Sequence, residues 1–304
     1  MTATSKVPGT SCRAPMTQYS IATWRLLETG WQDGATNMAI DEAILQAVAS
    51  GHSPPTLRFY GWNPPCLSLG YAQTWSVVDS ASCREQGWDV VRRPTGGRAI
   101  LHIDELTYSV CAPENEPRVH GGVLASYRRL SDALAAGLEL LGLNPARAQP
   151  VAEDGKARDS SSSNSVLSPL PVHGPVCFDR PSNFEITIGA RKLVGSAQAR
   201  KLDVVLQHGT LPLYGDITRI ASALNGDERR RSAIRRQLRE SATTLQASLG
   251  RHVSYEQVVP LLSQGFAATL DLQLAIGALT PWEQEQTRAI RAEKYANENW
   301  TRRR

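Results

Sequence analysis

Residues 184–201 read FEITIGARKLVGSAQARK, and residues 203–213 read DVVLQHGTLPL. In the first stretch Phe184, Ile186 and Ile188 alternate with Glu185 and Thr187, the two-residue period of a half-buried strand. A two-residue turn at Gly189 and Ala190 then sets Thr187 opposite Lys192 in a hairpin. Lys192 leaves the face that bears Leu193 and projects with Glu185 and Ser196. The pattern leaves two readings of this lysine open: a solvated side chain paired with Glu185, or a catalytic ammonium. The small residues Gly195, Ser196 and Ala197 admit a ligand or a second backbone at close range. In the second stretch His208 and Gly209 read as residues that shape a bulge.

Upstream of the hairpin, Cys177 lies between Pro175 and Pro181, which places it in a loop and not inside a helix or a central strand. A free cysteine there is either a small buried apolar group or a nucleophile. A cation such as Lys192 beside it would favour the thiolate needed to attack a thioester. A third stretch, RRPTGGRAILH at 92–102, sets two arginines and Thr95 before a Gly-Gly turn, with His102 at the end of the next strand. Gly96 and Gly97 allow backbone to approach a ligand. His102 is open to a structural or a functional reading.

The chain has 304 residues, 41% hydrophobic and 20% charged, the balance of an ordinary soluble globular protein. No apolar run approaches the roughly 20 residues that cross a bilayer, so no membrane segment is expected. Residues 1–20 have neither an apolar signal core nor a basic amphipathic pattern and read as a disordered leader, with a cytoplasmic location as the expectation. The five cysteines form no C-x-x-C pair, which predicts reduced thiols and no metal site. Net charge is only +4, yet arginines cluster at Arg92 and Arg93, across 228–240 and at 302–304, an arrangement that steers an acidic partner. Nucleic acid is not that partner on this reading, because only 6% of residues are aromatic and none interleave with a basic run.

Periodicity predicts a strand around 22–30, then a helix over 33–51 capped by Thr36 or Asn37 and ended by Gly51. Short strands follow in 54–62 and 66–72, and three more in 88–113 joined by the Gly-Gly turn. A long amphipathic helix runs through 121–144 to Gly142. Residues 150–172 are serine-rich and read as a flexible insertion. Beyond about 216 the pattern is helical, in 216–225, 231–250, 254–270 and from about 280. The expectation is one catalytic domain over 21–304 of the α+β class, a mixed β-sheet with helices packed on one side.

Taken in order, RRPTGGRAILH, DELTYSV, VCFDRPSNFEI, GARKLVGSAQARK and HGTLPL resemble the biotin/lipoate protein ligase superfamily, and within it most closely the LipM-type octanoyltransferases. The likeness runs from about Trp24 to Tyr214 and returns in EKYANENWTRR. It implies a biotin/lipoate protein ligase-like catalytic domain, a mixed β-sheet flanked by helices, with an apolar acyl tunnel near the Gly-Gly turn and the KLVGSA strand. It implies Cys177 and Lys192 as catalytic residues, and Arg92, Arg93, Thr95, Gly96, Gly97, His102, Gly195, Ser196 and Ala197 as substrate-binding ones.

On this resemblance Cys177 takes an octanoyl group from acyl carrier protein as a thioester, and a lysine of a lipoyl-type domain, the glycine cleavage H protein being the expected acceptor, attacks it to form an amide. Thioester exchange followed by amide formation runs downhill, so no cofactor, ATP or metal is expected. Arg92, Arg93 or the helix around Arg229 to Arg239 would dock the acidic carrier and lipoyl proteins. Lys192 is shared with the superfamily's ATP-using ligases and does not separate the reactions. An ATP-dependent lipoate–protein ligase, an amidotransferase between lipoyl domains and a non-catalytic domain that binds acylated carriers are the alternatives. The insertion ahead of Cys177 is longer than the resemblance leads one to expect.

Overall fold

A computed structural model describes residues 19–147, 175, 176, 178 and 185–304. The leader through residue 18, the serine-rich 150–172 segment and Cys177 itself lie outside the described residues. The chain opens with β1 (Ala22–Gln32), α1 (Gly34–Ala49), β2 (Thr56–Trp62), β3 (Cys66–Leu69), α2 (Ser80–Glu85), β4 (Asp89–Arg92), β5 (Ile100–His102) and β6 (Glu105–Pro113). It continues through α3 (Val123–Leu140), β7 (Ala146–Arg147), β8 (Ile186–Ile188), β9 (Arg191–Lys201), β10 (Val204–Pro212), α4 (Glu228–Ser241) and α5 (Leu245–Leu249). Last come α6 (Tyr255–Leu270), β11 (Leu272–Ile276), α7 (Pro281–Ile290) and α8 (Glu298–Thr301).

Among the described residues eight strands form one mixed sheet in the order β11-β1-β2-β6-β10-β9-β8-β7, with β1 parallel to β2 and to β11 and the other pairs antiparallel. A smaller sheet, β4-β3-β5, packs as a second layer. The pairing read from the sequence, Thr187 opposite Lys192, is present, and the register then shifts by a bulge that sets Ile186 opposite Val194. Helices cover both faces of the large sheet and not one. Leu130, Leu134 and Leu138 of α3 and Val258, Leu262 and Phe266 of α6 bury against Leu57, Phe59, Tyr108 and Val110. On the opposite face Ile40, Ile44, Leu45 and Val48 of α1 meet Leu27, Cys111, Val204 and Leu206.

Several local expectations change with tertiary context. The cap of α1 is Asp33, whose carboxylate accepts the Thr36 amide at 2.9 Å, while Asn37 is buried and donates to the Gly61 carbonyl at 2.8 Å. The Gly-Gly segment joins no hairpin: β4 and β5 lie on opposite edges of β3, so residues 93–99 cross the end of that strand. Residues 272–276, expected as part of a helical stretch, form a strand, because Asp271 at φ 50° ends α6 and the following segment pairs in parallel with β1. The helix expected over 231–250 breaks into α4 and α5 where Ala242 bridges to Lys192 and the Thr243 amide donates to the Lys192 carbonyl at 2.9 Å. At His208 and Gly209 there is no bulge, since β10 pairs without interruption with both β6 and β9.

Asp41 holds the layers together. It sits on the apolar stripe of α1, fully buried, and its carboxylate accepts from Arg58 of β2 at 2.7 Å, Ser109 of β6 at 2.9 Å and Tyr60 at 3.0 Å. Burial pushes this carboxyl's pKa up, but the Arg58 guanidinium and the His208 hydrogen bond outweigh it and hold Asp41 below its usual range. Arg58, also fully buried, completes its donors with Thr29 Oγ1 at 2.9 Å and the Asn37 side chain at 2.7 Å. Removing one partner leaves the other as an uncompensated buried charge, so Arg58→Met is expected to cost about 3–5 kcal/mol of stability, read from the shift in denaturant midpoint at unchanged slope.

Candidate active site

The arginines of 92–102 are structural first. Arg93 is 2% exposed, and its guanidinium fills the loop that follows it. It donates to the carbonyls of Gly96 at 2.8 Å, Arg98 at 2.8 Å and Ser68 at 3.1 Å. Gly97 takes φ 92°, and a side chain there would run into this guanidinium. Arg92 is fully buried and donates to the carbonyls of Gly70, Gln73 and Thr301, pinning α8 to this layer. Neither guanidinium is available to dock a protein partner, which corrects the expectation drawn from charge. Long arginine side chains folded back on backbone carbonyls give no sign of this in the sequence.

Two histidine relays run beneath the loop. His208 faces Asp41 with Nδ1 at 3.2 Å, and its Nε2 is 2.7 Å from the Thr95 hydroxyl. With Nδ1–H donating to the carboxylate, Nε2 accepts from the Thr95 hydroxyl, so α1, β10 and the glycine loop are linked through one ring. His102 repeats the arrangement, with Nδ1 3.3 Å from Glu105 and Nε2 2.8 Å from Ser68 Oγ. Thr107 and Thr210 donate to the Glu105 carboxylate, and the His102 ring stacks on Trp62 at 3.9 Å. Burial pushes the His102 pKa down, and the Glu105 hydrogen bond recovers only part of the loss, so the ring is neutral at pH 7.

The lysine of GARKLVG is not solvated. Lys192 is 0% exposed and its ammonium donates to Glu185 Oε1 at 2.6 Å, both groups buried. The side chain folds along Gly195, so that a Cβ at that position would meet Lys192 Cε at 3.1 Å and Nζ at 3.3 Å. Ser196 leaves this group and bonds instead with Tyr108 OH at 2.8 Å. The Phe178 ring lies 4.9 Å from the ammonium, and Val176 bridges to Ala99 at the end of the glycine loop. The Ala99 amide donates to the Pro175 carbonyl at 3.1 Å. The neighbours of Cys177 in sequence therefore lie between the glycine loop and Lys192.

A narrow cavity of about 20 Å3 joins these groups, lined by Met38, Tyr60, Trp62, Ser68, Arg93, Ile100, His102, Thr107, His208 and Thr210 with Gly195, Ser196 and Ala197. That volume is room for about one water, so an acyl chain must widen it on entry. Of the residues singled out in the sequence, Arg93, His102, Gly195, Ser196 and Ala197 line the cavity; Lys192 adjoins it at Gly195, and Thr95 reaches it through His208. Gly96 and Gly97 belong to the loop around Arg93, and Arg92 stands apart. Asp41, Ser68 and Glu105 were not singled out. Asp41 alone carries a signal: a carboxylate three residues after Met38 and four before Leu45, on the helical stripe that must be buried.

These features match a known class. The model of the lipoyl protein ligase A/B catalytic domain matches residues 33–267. The chain belongs to this family. Among its relatives it is 42% identical over 280 residues to the octanoyltransferase LipM of Kyrpidia tusciae, covering 91% of this chain and 98% of that protein. It is 42% identical over 293 residues to that of Moorella thermoacetica, covering 93% and 98%. In architecture it is similar to a bipartite lipoate protein ligase from Thermoplasma acidophilum, with TM-score 0.73 at 24% identity over 92% of this chain and 96% of that one. This last likeness concerns the fold.

Two outcomes test the geometry. Gly195→Ala crowds Lys192 and should lower stability by about 1–3 kcal/mol, a loss that shrinks in a Lys192→Ala background when both are measured in one double-mutant cycle. Because burial holds His102 below its ordinary 6.5, its contribution to stability is complete above that pH. Below it the unfolded chain gains a proton that the folded one refuses, and the contribution is lost. Thermal melts between pH 7.5 and 5.5, limits of roughly one unit either side of that value, should show a fall in stability that is smaller in His102→Gln.

Proposed function

We propose that this protein transfers an octanoyl group from acyl carrier protein to a lysine of a lipoyl-type domain, such as the glycine cleavage H protein, through a thioester on Cys177. The observation that carries the reading is the buried Lys192–Glu185 pair set against Gly195, with Val176 and Phe178 at hand. The Lys192 ammonium donates to the Glu185 carboxylate at 2.6 Å, a charge-assisted hydrogen bond that fixes its position. Such an ammonium favours a thiolate beside it and a tetrahedral oxyanion after it. The names of the relatives point the same way.

In the first half-reaction the Cys177 thiolate attacks the thioester carbonyl carbon, the carbon–sulfur bond to the carrier breaks, and the departing thiolate takes a proton from Lys192. In the second, the acceptor lysine must attack as the free amine, which at pH 7 costs about 4–5 kcal/mol from its reference pKa near 10.4. That first proton goes to solvent; as nitrogen bonds to the acyl carbon, Lys192, now neutral, takes the second proton from it and the Cys177 thiolate leaves. The sum is acyl thioester plus amine giving amide plus carrier thiol, balanced without ATP. The acyl chain occupies the cavity between Gly195 and Trp62, whose apolar walls are Met38, Tyr60, Trp62 and Ile100.

Incubation with octanoyl-acyl carrier protein and no ATP should give an octanoyl adduct on Cys177 by intact mass and peptide mapping. Cys177→Ser should abolish the adduct and slow transfer at least about 10³-fold. Full transfer by that variant, or an absolute need for ATP, would sink the proposal.

A further inference from the structure

Helix α4 carries six arginines and two glutamates, and the fold uses little of it. Within the helix only Leu238 is buried. Arg231 pairs with Asp79 at 2.6 Å and Arg235 with Glu228 at 2.6 Å. Arg229, Arg230, Arg236 and Arg239 are exposed, and none forms an ion pair among the described residues, although Arg239 lies close enough to Asp216 to lower its pKa alongside nearer hydrogen bonds. Three of the six stand in the first turns, where the helix dipole disfavours positive charge, and Arg231, Arg235 and Arg239 repel one another at four-residue spacing. A helix shaped only for stability would not concentrate arginine in this way.

Its position gives the charge a use. The last turn of α4 touches the site: Ser241 Oγ donates to the Phe178 carbonyl at 2.8 Å, and the next residue, Ala242, bridges to Lys192. Arg229, Arg236 and Arg239 share one outward face that runs back from this point for about 15 Å, at 1.5 Å per residue. Resting on the transfer reaction above, we infer that this face docks the acyl donor, an acidic carrier protein that presents its thioester on a long flexible arm. A donor seated along the helix can send such an arm to the site. An acceptor lysine, on its four-carbon stem, cannot reach from there, so the acceptor body must sit at the site itself.

The test compares Arg229→Glu/Arg236→Glu/Arg239→Glu with the wild-type chain, using octanoyl-acyl carrier protein and octanoyl-pantetheine as alternative donors. The variant should raise KM for the protein-borne donor at least about tenfold and lose its salt dependence. For octanoyl-pantetheine kcat/KM should change less than about twofold, and KM for the acceptor domain should be unchanged. Equal losses with both donors, a rise in KM for the acceptor in place of the donor, or no change would overturn the assignment. If the wild-type chain transfers from neither donor, the transfer reaction itself fails. Titration of the carrier protein into wild-type and variant then decides docking separately, with weaker binding to the variant expected and equal binding excluding it.

Discussion

The ion pair of Asp41 and Arg58 is the constraint on which the arrangement rests. Two opposite charges are fully buried between α1 and the large sheet, and neither is tolerable without the other. Their partners come from β2, β6 and β10, so satisfying the pair fixes how α1 lies across three strands. Through His208 the same carboxylate reaches Thr95, which places the glycine loop relative to the sheet. A local demand for hydrogen bonds thus becomes a long-range restraint on the site.

The site repeats this logic with a second buried pair. Lys192 and Glu185 leave the solvent together, and the glycine at 195 makes room for the lysine to fold back toward the cavity. A positive charge held where water is scarce acts more strongly on a neighbouring sulfur or oxyanion than one at the surface. The arginines divide between two roles. Arg92 and Arg93 spend their donors on backbone carbonyls and shape the loops, whereas those of α4 face outward. Charge that looked alike in sequence is separated by burial into scaffold and surface.

Much of the fold was legible because it rests on local pattern. The alternation in 184–188 and the Gly189–Ala190 turn fix the pairing of Thr187 with Lys192, and apolar spacing marks α1, α3 and α6. The strand at 272–276 was not legible, since five residues with an exposed Gln273 acquire strand character only from β1, some 250 positions earlier. Nor was the role of His208, whose partners Asp41 and Thr95 are 167 and 113 residues away. The site was legible in its residue types, a lysine facing Glu185, small residues and a glycine loop, but not in its second layer of Asp41, Ser68 and Glu105.

The sequence by itself determined most of the strands and helices, the pairing of Thr187 with Lys192 and the in-order motifs that mark the family, because each depends on neighbours within a few residues or on residue identity alone. Tertiary structure decided which charges are buried and with whom, which face each helix covers, and that Lys192 is enclosed with Glu185 while the arginines of α4 are not. Burial and ion pairing are properties of segments distant in the chain meeting in space, and the energy of a charge depends on that meeting more than on its place in the chain.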